Sequence, residues 1–286
     1  MIQDIAPYKL INRFENKRPS AESLMMCFQG NTLLAAFNEK LHALVFPCMK
    51  DFQQNIDSVY LFSIDRKDYF LVSTIEKAPA GYSFYGIREI RELKYESNVG
   101  IFAAYSAYHL WKWYAANRYC GACGAKTEHD TAERAVFCPS CGNKVYPRIN
   151  PAVIIGVTNG DKLLLTKYRT GFAHNALVAG FTEFGETLEE TVAREVMEEV
   201  GLRVKNIRYY KSQPWGIASD ILMGFFCQVD GDDTIRMDSS ELKYAEWVWR
   251  EDIVLQPNNF SLTNEMMKLF KENKVKQFYL QEEMPC

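Results

Sequence analysis

Two short cysteine pairs constrain this chain more than any other feature. Cys120-Gly-Ala-Cys123 and Cys138-Pro-Ser-Cys141 are CxxC knuckles with 14 residues between them. Glycine follows each pair, at Gly124 and Gly142, which suits the tight turn that brings backbone amides toward thiolate sulfurs. Four thiolates at this spacing match a closed tetrahedral Zn²⁺ site rather than redox dithiols. A closed ligand set leaves no position for substrate, so the cluster is read as structural. Cys27, Cys48, Cys227 and Cys286 are scattered and form no comparable framework. Around the knuckles Arg118, Lys126, Arg134, Lys144 and Arg148 are mixed with Glu128, Asp130 and Glu133, so no basic nucleic-acid face stands out.

The rest of the composition is that of a soluble globular protein of two domains: 286 residues, 48% apolar, 24% charged. A net charge of -3 gives no general footprint for nucleic acid or membrane. Residues 1–14 lack a basic segment followed by an apolar one, so no signal peptide is read there. No apolar run reaches the ~18–20 residues of a membrane span. The longest, Val99 to Ala116, is interrupted by His109 and Lys112. A cytoplasmic location is expected.

Residues 1 to about 95 read as β-rich. Ser58–Ile64 and Tyr69–Val72 are apolar runs separated by Asp65-Arg66-Lys67-Asp68, a hairpin signal, and Gly30-Asn31 separates two more. No catalytic constellation is visible there, which points to a structural or dimer-forming domain. Residues 98–117 read as a helix, with an apolar stripe at Ile101, Tyr105, Tyr108, Trp111 and Ala115. After the knuckles, Ala152–Val157 and Lys162–Leu165 flank Asn159-Gly160, a strong hairpin signal.

The chemistry lies between Gly180 and Leu202. Thr187 can cap a helix, with Glu190 completing a capping box and Gly201 supplying the stop. Leu188, Val192, Val196 and Val200 form the apolar stripe that should face the core. Glu195, Glu198 and Glu199 then share one helix face. Their mutual repulsion is relieved by a cation, and hard carboxylate oxygens select Mg²⁺ or Mn²⁺. Glu186 precedes the helix and can reach toward the same face. Arg194 points about 100° away from its neighbour Glu195 on a helix of about 3.6 residues per turn, so it should pair with Glu186 rather than bind metal.

Read together, Gly180, Glu186, Arg194, Glu195, Val196, Glu198, Glu199, Gly201 and Leu202 occupy every specified position of the Nudix signature, so the segment resembles a Nudix hydrolase. Over nearly the whole chain the order of parts is similar to the NADH pyrophosphatase subgroup. Tyr146–Pro151 resembles that subgroup's lead-in to the first Nudix strand, Ala179-Gly180-Phe181-Thr182-Glu183 its AGFxE entry, and Ser212-Gln213-Pro214-Trp215 the start of its SQPWPFP motif. There the match breaks: Gly216, Ile217 and Ala218 stand where Pro, Phe and Pro are expected, and Asp220 replaces a usual Ser. The departure bears on substrate choice more than on reaction type.

The resemblance implies an α+β chain. It would have an N-terminal β-rich domain over 1–97, a linker helix over 98–117 and a four-cysteine zinc ribbon over 118–147. A Nudix α/β/α sandwich with a mixed sheet would follow over 148–272, then a C-terminal tail over 273–286. It implies hydrolysis of the diphosphate of NAD(H) to NMN(H) and AMP, with NAD-capped RNA as a further substrate and a homodimer as the assembly. Glu241 resembles the downstream glutamate that completes the metal site. Of the glutamates, Glu199 is assigned the general base and Glu195 and Glu198 chiefly metal ligation. Substrate contacts are expected from Phe181, Glu183, Gln213, Trp215 and Tyr146. Phe181 is read either as the ring that stacks on nicotinamide or as a core residue, Trp215 as core or nucleotide platform, and Tyr146 as reaching a partner subunit's site. Two alternatives stay open: another nucleoside diphosphate derivative such as ADP-ribose or FAD as substrate, and a non-catalytic nucleotide sensor or zinc-ribbon binding protein.

Overall fold

The computed structural model describes residues 1–52, 56–169 and 174–275. The expected tail over 273–286 lies outside the described residues from position 276 onward. The chain divides into two compact units, one made of Ile2–Ile149 with Trp215–Ser219, the other of Met1, Asn150–Pro214 and the segment from Asp220 onward.

In the first unit, a seven-stranded sheet is built from β1 (Leu10–Ile11), β2 (Leu24–Gln29), β3 (Thr32–Asn38), β4 (Ala43–Val45), β5 (Ser58–Ile64), β6 (Lys67–Val72) and β7 (Ser83–Gly86). The order is β1-β5-β6-β2-β3-β4, with β7 on β3. Gly30-Asn31 turns β2 into β3, and Gly30 takes φ 55° there. The second hairpin is tighter than its sequence suggests: only Asp65 and Arg66 form the turn, and Lys67 and Asp68 already pair with Ile64 and Ser63. Asp65 can occupy that turn because a short polar side chain tolerates its φ of 51°. Met25, Cys27, Leu34, Tyr60, Phe70 and Val72 form the core of one sheet face.

Helix α1 (Val99–Ala116) is buried more widely than one apolar stripe. Ile101, Tyr105 and Tyr108 are inside, as the spacing predicts, but Ala115 is exposed and Phe102, Ala103, Ala104, Ala107, Trp113 and Tyr114 are buried as well. The reason is that α1 is covered on more than one side. Tyr108 and Trp111 meet Phe28 of β2. The Trp215 ring stands edge-on to Tyr105, and the Lys112 ammonium donates to the Ile217 carbonyl at 2.6 Å. The ribbon follows as three two-residue strands, β8 (Glu128–His129), β9 (Val136–Phe137) and β10 (Lys144–Val145), in the order β10-β9-β8.

The second unit is a mixed six-stranded sheet of β11 (Asn150–Asn159), β12 (Lys162–Tyr168), β13 (Val178–Phe181), β14 (Val204–Trp215), β15 (Asp220–Val229) and β16 (Leu242–Trp249). Its order is β14-β15-β11-β12-β16, with β13 on β11 and a parallel pairing of β11 with β15. Period-two alternation along β11 feeds both faces. Val153, Ile155 and Val157 pack with Val192, Val196 and Val200 of α2 (Leu188–Val200). Ile154 packs with Leu262, Met266 and Phe270 of α3 (Leu262–Lys271). This is the expected sandwich, with one helix on each face of a mixed sheet.

Candidate functional site

The zinc knuckles are built as their sequence predicts. Gly124 and Gly142 take φ values of 76° and 74°, and their amides close the turns on the Cys120 and Cys138 carbonyls at 2.9 Å. Among the described residues, the four sulfurs all lie within 4.8 Å of one another. The Ala122 amide donates to the Cys120 sulfur, and together with the Cys123 amide it brings that thiol down to about 6. Four convergent sulfurs on two CxxC turns fit a structural Zn²⁺, and the centre is a zinc ribbon.

The second constellation grows from α2. Thr187 is extended at φ -78° and ψ 163°, its side chain accepts from the Glu190 amide, and its own amide donates to Glu190 at 2.7 Å. Gly201 ends the helix in the left-handed region at φ 69°. The apolar stripe fixes the rotation of the helix about its axis, and that rotation turns Glu195 and Glu199 inward. Gly180 on β13 leaves room for Glu195: a Cβ there would stand 2.0 Å from the Glu195 carboxyl group.

Arg194 does more than pair with Glu186. Its Nε and Nη2 grip both Glu186 oxygens at 2.6 and 3.0 Å, as the spacing predicts. Nη1 also donates to Glu195 at 2.8 Å and Glu198 at 2.9 Å, and Nη2 to the Phe181 carbonyl at 2.9 Å. All five guanidinium N–H groups thus have acceptors. The flexible side chain overcomes the 100° offset by curling back along the helix. Glu186 further accepts from Thr191 and from the Glu183 amide, and its pKa falls to about 2, chiefly through Arg194.

Glu199 is the buried member, 3% exposed. Burial first, then the charge of Glu195 and further that of Glu241, raise its carboxyl to about 8, against the opposing pull of the Tyr168 hydroxyl. Burial likewise raises Glu195, with Arg194 opposing and Glu198 and Glu241 adding to the rise. Glu195, Glu199 and Glu241 therefore act on one another as a concentration of like charge. Hard oxygen donors under such repulsion fit Mg²⁺ or Mn²⁺. Glu198 is largely exposed and held by Arg194. The carboxylates do not close to the tight spacing of the cysteines, since Arg194 engages Glu195 and Glu198 while Glu199 faces Tyr168.

The expected substrate contacts fall in different surroundings. Phe181 is 50% exposed, so it is not a core residue, and Glu183 is exposed beside it. Phe184, which sequence reasoning passed over, is 99% exposed. Gln213 is fully buried: its amide nitrogen donates to the Phe260 carbonyl and its oxygen accepts from the Leu262 amide, anchoring the start of α3. Both ends of that amide are taken up inside the domain. Trp215 packs on Tyr105, with the Arg91 guanidinium 5.2 Å from the ring centre. Tyr146 lies exposed on the ribbon and donates to Glu133 at 3.1 Å. Sequence reasoning also missed Tyr168; the one signal it left is strand alternation, which puts Leu164 and Tyr168 on the α2 side of β12.

Within Gly216-Ile217-Ala218, the glycine has a packing explanation. A Cβ on Gly216 would lie 2.0 Å from the Tyr105 carbonyl oxygen of α1. No residue but glycine fits against that backbone, proline included.

Residues 148–270 match the NUDIX domain family, and residues 115–146 match the NADH pyrophosphatase zinc ribbon domain. The chain is 38% identical over 175 residues to the NAD-capped RNA hydrolase NudC of Shigella flexneri and to that of Escherichia coli O9:H4 (strain HS). Each alignment covers 60% of this chain and 65% of the relative's length, so the chain spans somewhat less than two thirds of these relatives. Among solved structures, a Nudix hydrolase from Nitrosomonas europaea is similar at 23% identity and a TM-score of 0.49, covering 56% of this chain and 93% of that one.

Proposed function

We propose that the protein hydrolyses the diphosphate bond of NAD(H) to NMN(H) and AMP: residues 148–270 match the NUDIX domain family and residues 115–146 ahead of them match the NADH pyrophosphatase zinc ribbon domain. The observation that carries the reading is geometric: buried Glu199 shares one face of α2 with Glu195, and its carboxylate lies 3.2 Å from the Tyr168 hydroxyl. A raised carboxyl next to further acid groups is what a general base working near neutral pH requires.

In this reading Glu195, Glu198, Glu199 and Glu241 hold Mg²⁺ or Mn²⁺. Such a cation would neutralise charge on the diphosphate and make the attacking water more acidic. Glu199 accepts the water's proton, with Glu195 and Glu198 chiefly as ligands. Arg194 is not a metal ligand: with Glu186 it fixes the loop over Gly180–Glu186 to α2 and aims Glu195 and Glu198. Phosphoryl transfer depends mostly on positioning and charge stabilisation, which such a rigid acidic helix supplies. Phe181 offers its exposed ring to a base of the substrate, with Glu183 beside it. NAD-capped RNA presents the same bond at its 5′ end, and the relatives named NAD-capped RNA hydrolase NudC support it as a second substrate. Tyr146 is assigned to a partner subunit's site in a homodimer, to be checked by sedimentation, and the compartment is the cytoplasm. Among the described residues no helix is long and apolar enough to cross a membrane.

The Gly216–Ala218 break raises ADP-ribose or FAD as the substrate instead. Its packing against α1 supplies a reason for the glycine that is independent of any ligand. A panel of NADH, NAD⁺, ADP-ribose and FAD with Mg²⁺ or Mn²⁺ tests the assignment. NADH and NAD⁺ should be preferred, and faster turnover of ADP-ribose would reject it.

A further inference from the structure

Tyr168 lies outside the Gly180–Leu202 segment, yet its hydroxyl ends beside the most buried carboxylate of the site. It is 3.2 Å from Glu199 Oε1, 3.5 Å from Oε2 and 3.4 Å from the Ala179 carbonyl oxygen. A phenol has one proton to donate. Ionised Glu199 competes for it better than a neutral carbonyl does, because a charge-assisted hydrogen bond is the stronger. The ring packs against the core under α2, so the hydroxyl cannot swing away without displacing apolar neighbours.

The strand end is shaped for this contact. The register of β12 on β16 shifts between Lys167 and Tyr168, where Lys167 opposes Tyr244 but Tyr168 opposes Leu242, leaving Lys243 as the extra residue. Such bulges re-aim side chains beside functional sites. The next residue gathers the other arm of the carboxylate group: the Arg169 amide donates to the Glu241 carbonyl at 3.1 Å, and its guanidinium to the Ser239 carbonyl at 2.7 Å. Two consecutive residues therefore tie Glu199 of α2 and the Glu241 loop to one end of β12.

We infer that Tyr168 is a positioning residue that orients the Glu199 carboxylate for cation binding and proton transfer, from its hydrogen bond to Glu199 at the β12 bulge. It rests on the proposed hydrolase reading but makes a separate claim. In this role Tyr168 acts through Glu199, holding one side of its carboxylate so that the rest faces Glu195 and Glu241. A core tyrosine that merely satisfies its hydroxyl would contribute to stability alone.

The test is Tyr168→Phe in the full chain with zinc retained, which keeps the ring and removes the donor. The variants Tyr168→Phe, Glu199→Gln and the double substitution are compared by NADH kinetics and by Mn²⁺ affinity from titration calorimetry without substrate. Partners of metal ligands typically contribute ~10–100-fold, so Tyr168→Phe should lower kcat and Mn²⁺ affinity in that range with KM nearly unchanged and melting close to wild type. In the Glu199→Gln background its effect on Mn²⁺ affinity should vanish, since the two residues act as one unit. Unchanged kcat and Mn²⁺ affinity in Tyr168→Phe, or a loss fully additive with Glu199→Gln, would overturn the inference. If the wild type cleaves no dinucleotide, the hydrolase reading fails while Mn²⁺ affinity still decides the role of Tyr168.

Discussion

Glu199 concentrates the conflict between stability and chemistry in a single side chain. A carboxyl raised in the fold lends stability that is fully present below its unfolded pKa, about 4.3. That contribution is lost as pH rises through about 8. Without added Mg²⁺ or Mn²⁺, Glu199→Gln should therefore melt progressively higher than wild type as pH is raised from 5 to 8, in paired thermal scans. The same variant should lose at least ~100-fold in kcat, as removal of a general base does. An unchanged difference in melting across that pH range would mean that Glu199 is not held in the strained state described. Gly180 makes a second residue-scale case. Its Cβ would meet only the tip of Glu195, a flexible side chain. Gly180→Ala should keep its melting temperature within a few degrees yet lower Mn²⁺ affinity, because the displaced carboxylate is the functional one.

At the scale of elements, α2 was legible because every local signal agrees: the Thr187 cap, the valine stripe and the Gly201 stop all specify one helix in one rotation. Thr187→Ala should cost about 1 kcal/mol in denaturant unfolding, with the Glu195 and Glu199 chemistry largely kept. The two turns at Gly30-Asn31 and Asn159-Gly160 were legible for the same reason, since local backbone demands select their residues. What was not legible depends on distant partners. Nothing near Gln213 in sequence says that its amide spans Phe260 and Leu262, and nothing near Tyr168 points to Glu199, 31 positions away. The wide burial of α1 was hidden because one of the segments covering it, Trp215–Ser219, lies a hundred residues further along. Gly216→Ala tests that packing. It sets a Cβ against backbone rather than a side-chain tip, so unlike Gly180→Ala it should destabilise by ~1–3 kcal/mol, the cost of overpacking, in a denaturant melt.

For the molecule as a whole, the proposed reading assigns the structural and the chemical metal to different donors in different units. The soft sulfurs of Cys120, Cys123, Cys138 and Cys141 close on one another within the first unit, whereas the hard oxygens of Glu195, Glu199 and Glu241 belong to the second. Metal analysis should find about one tightly held zinc per chain. Cys138→Ser should remove that zinc and lower the melting temperature, while adding zinc should not replace Mg²⁺ or Mn²⁺ in turnover. In the proposed reading the second unit uses its acidic helix to cut a dinucleotide at its diphosphate. The most direct measurement is chromatographic product analysis after incubating wild type and Glu199→Gln with NADH and Mg²⁺ or Mn²⁺. The wild type should give equal amounts of NMNH and AMP and the variant almost none. Intact NADH with the wild type, or equal product from both proteins, would contradict it.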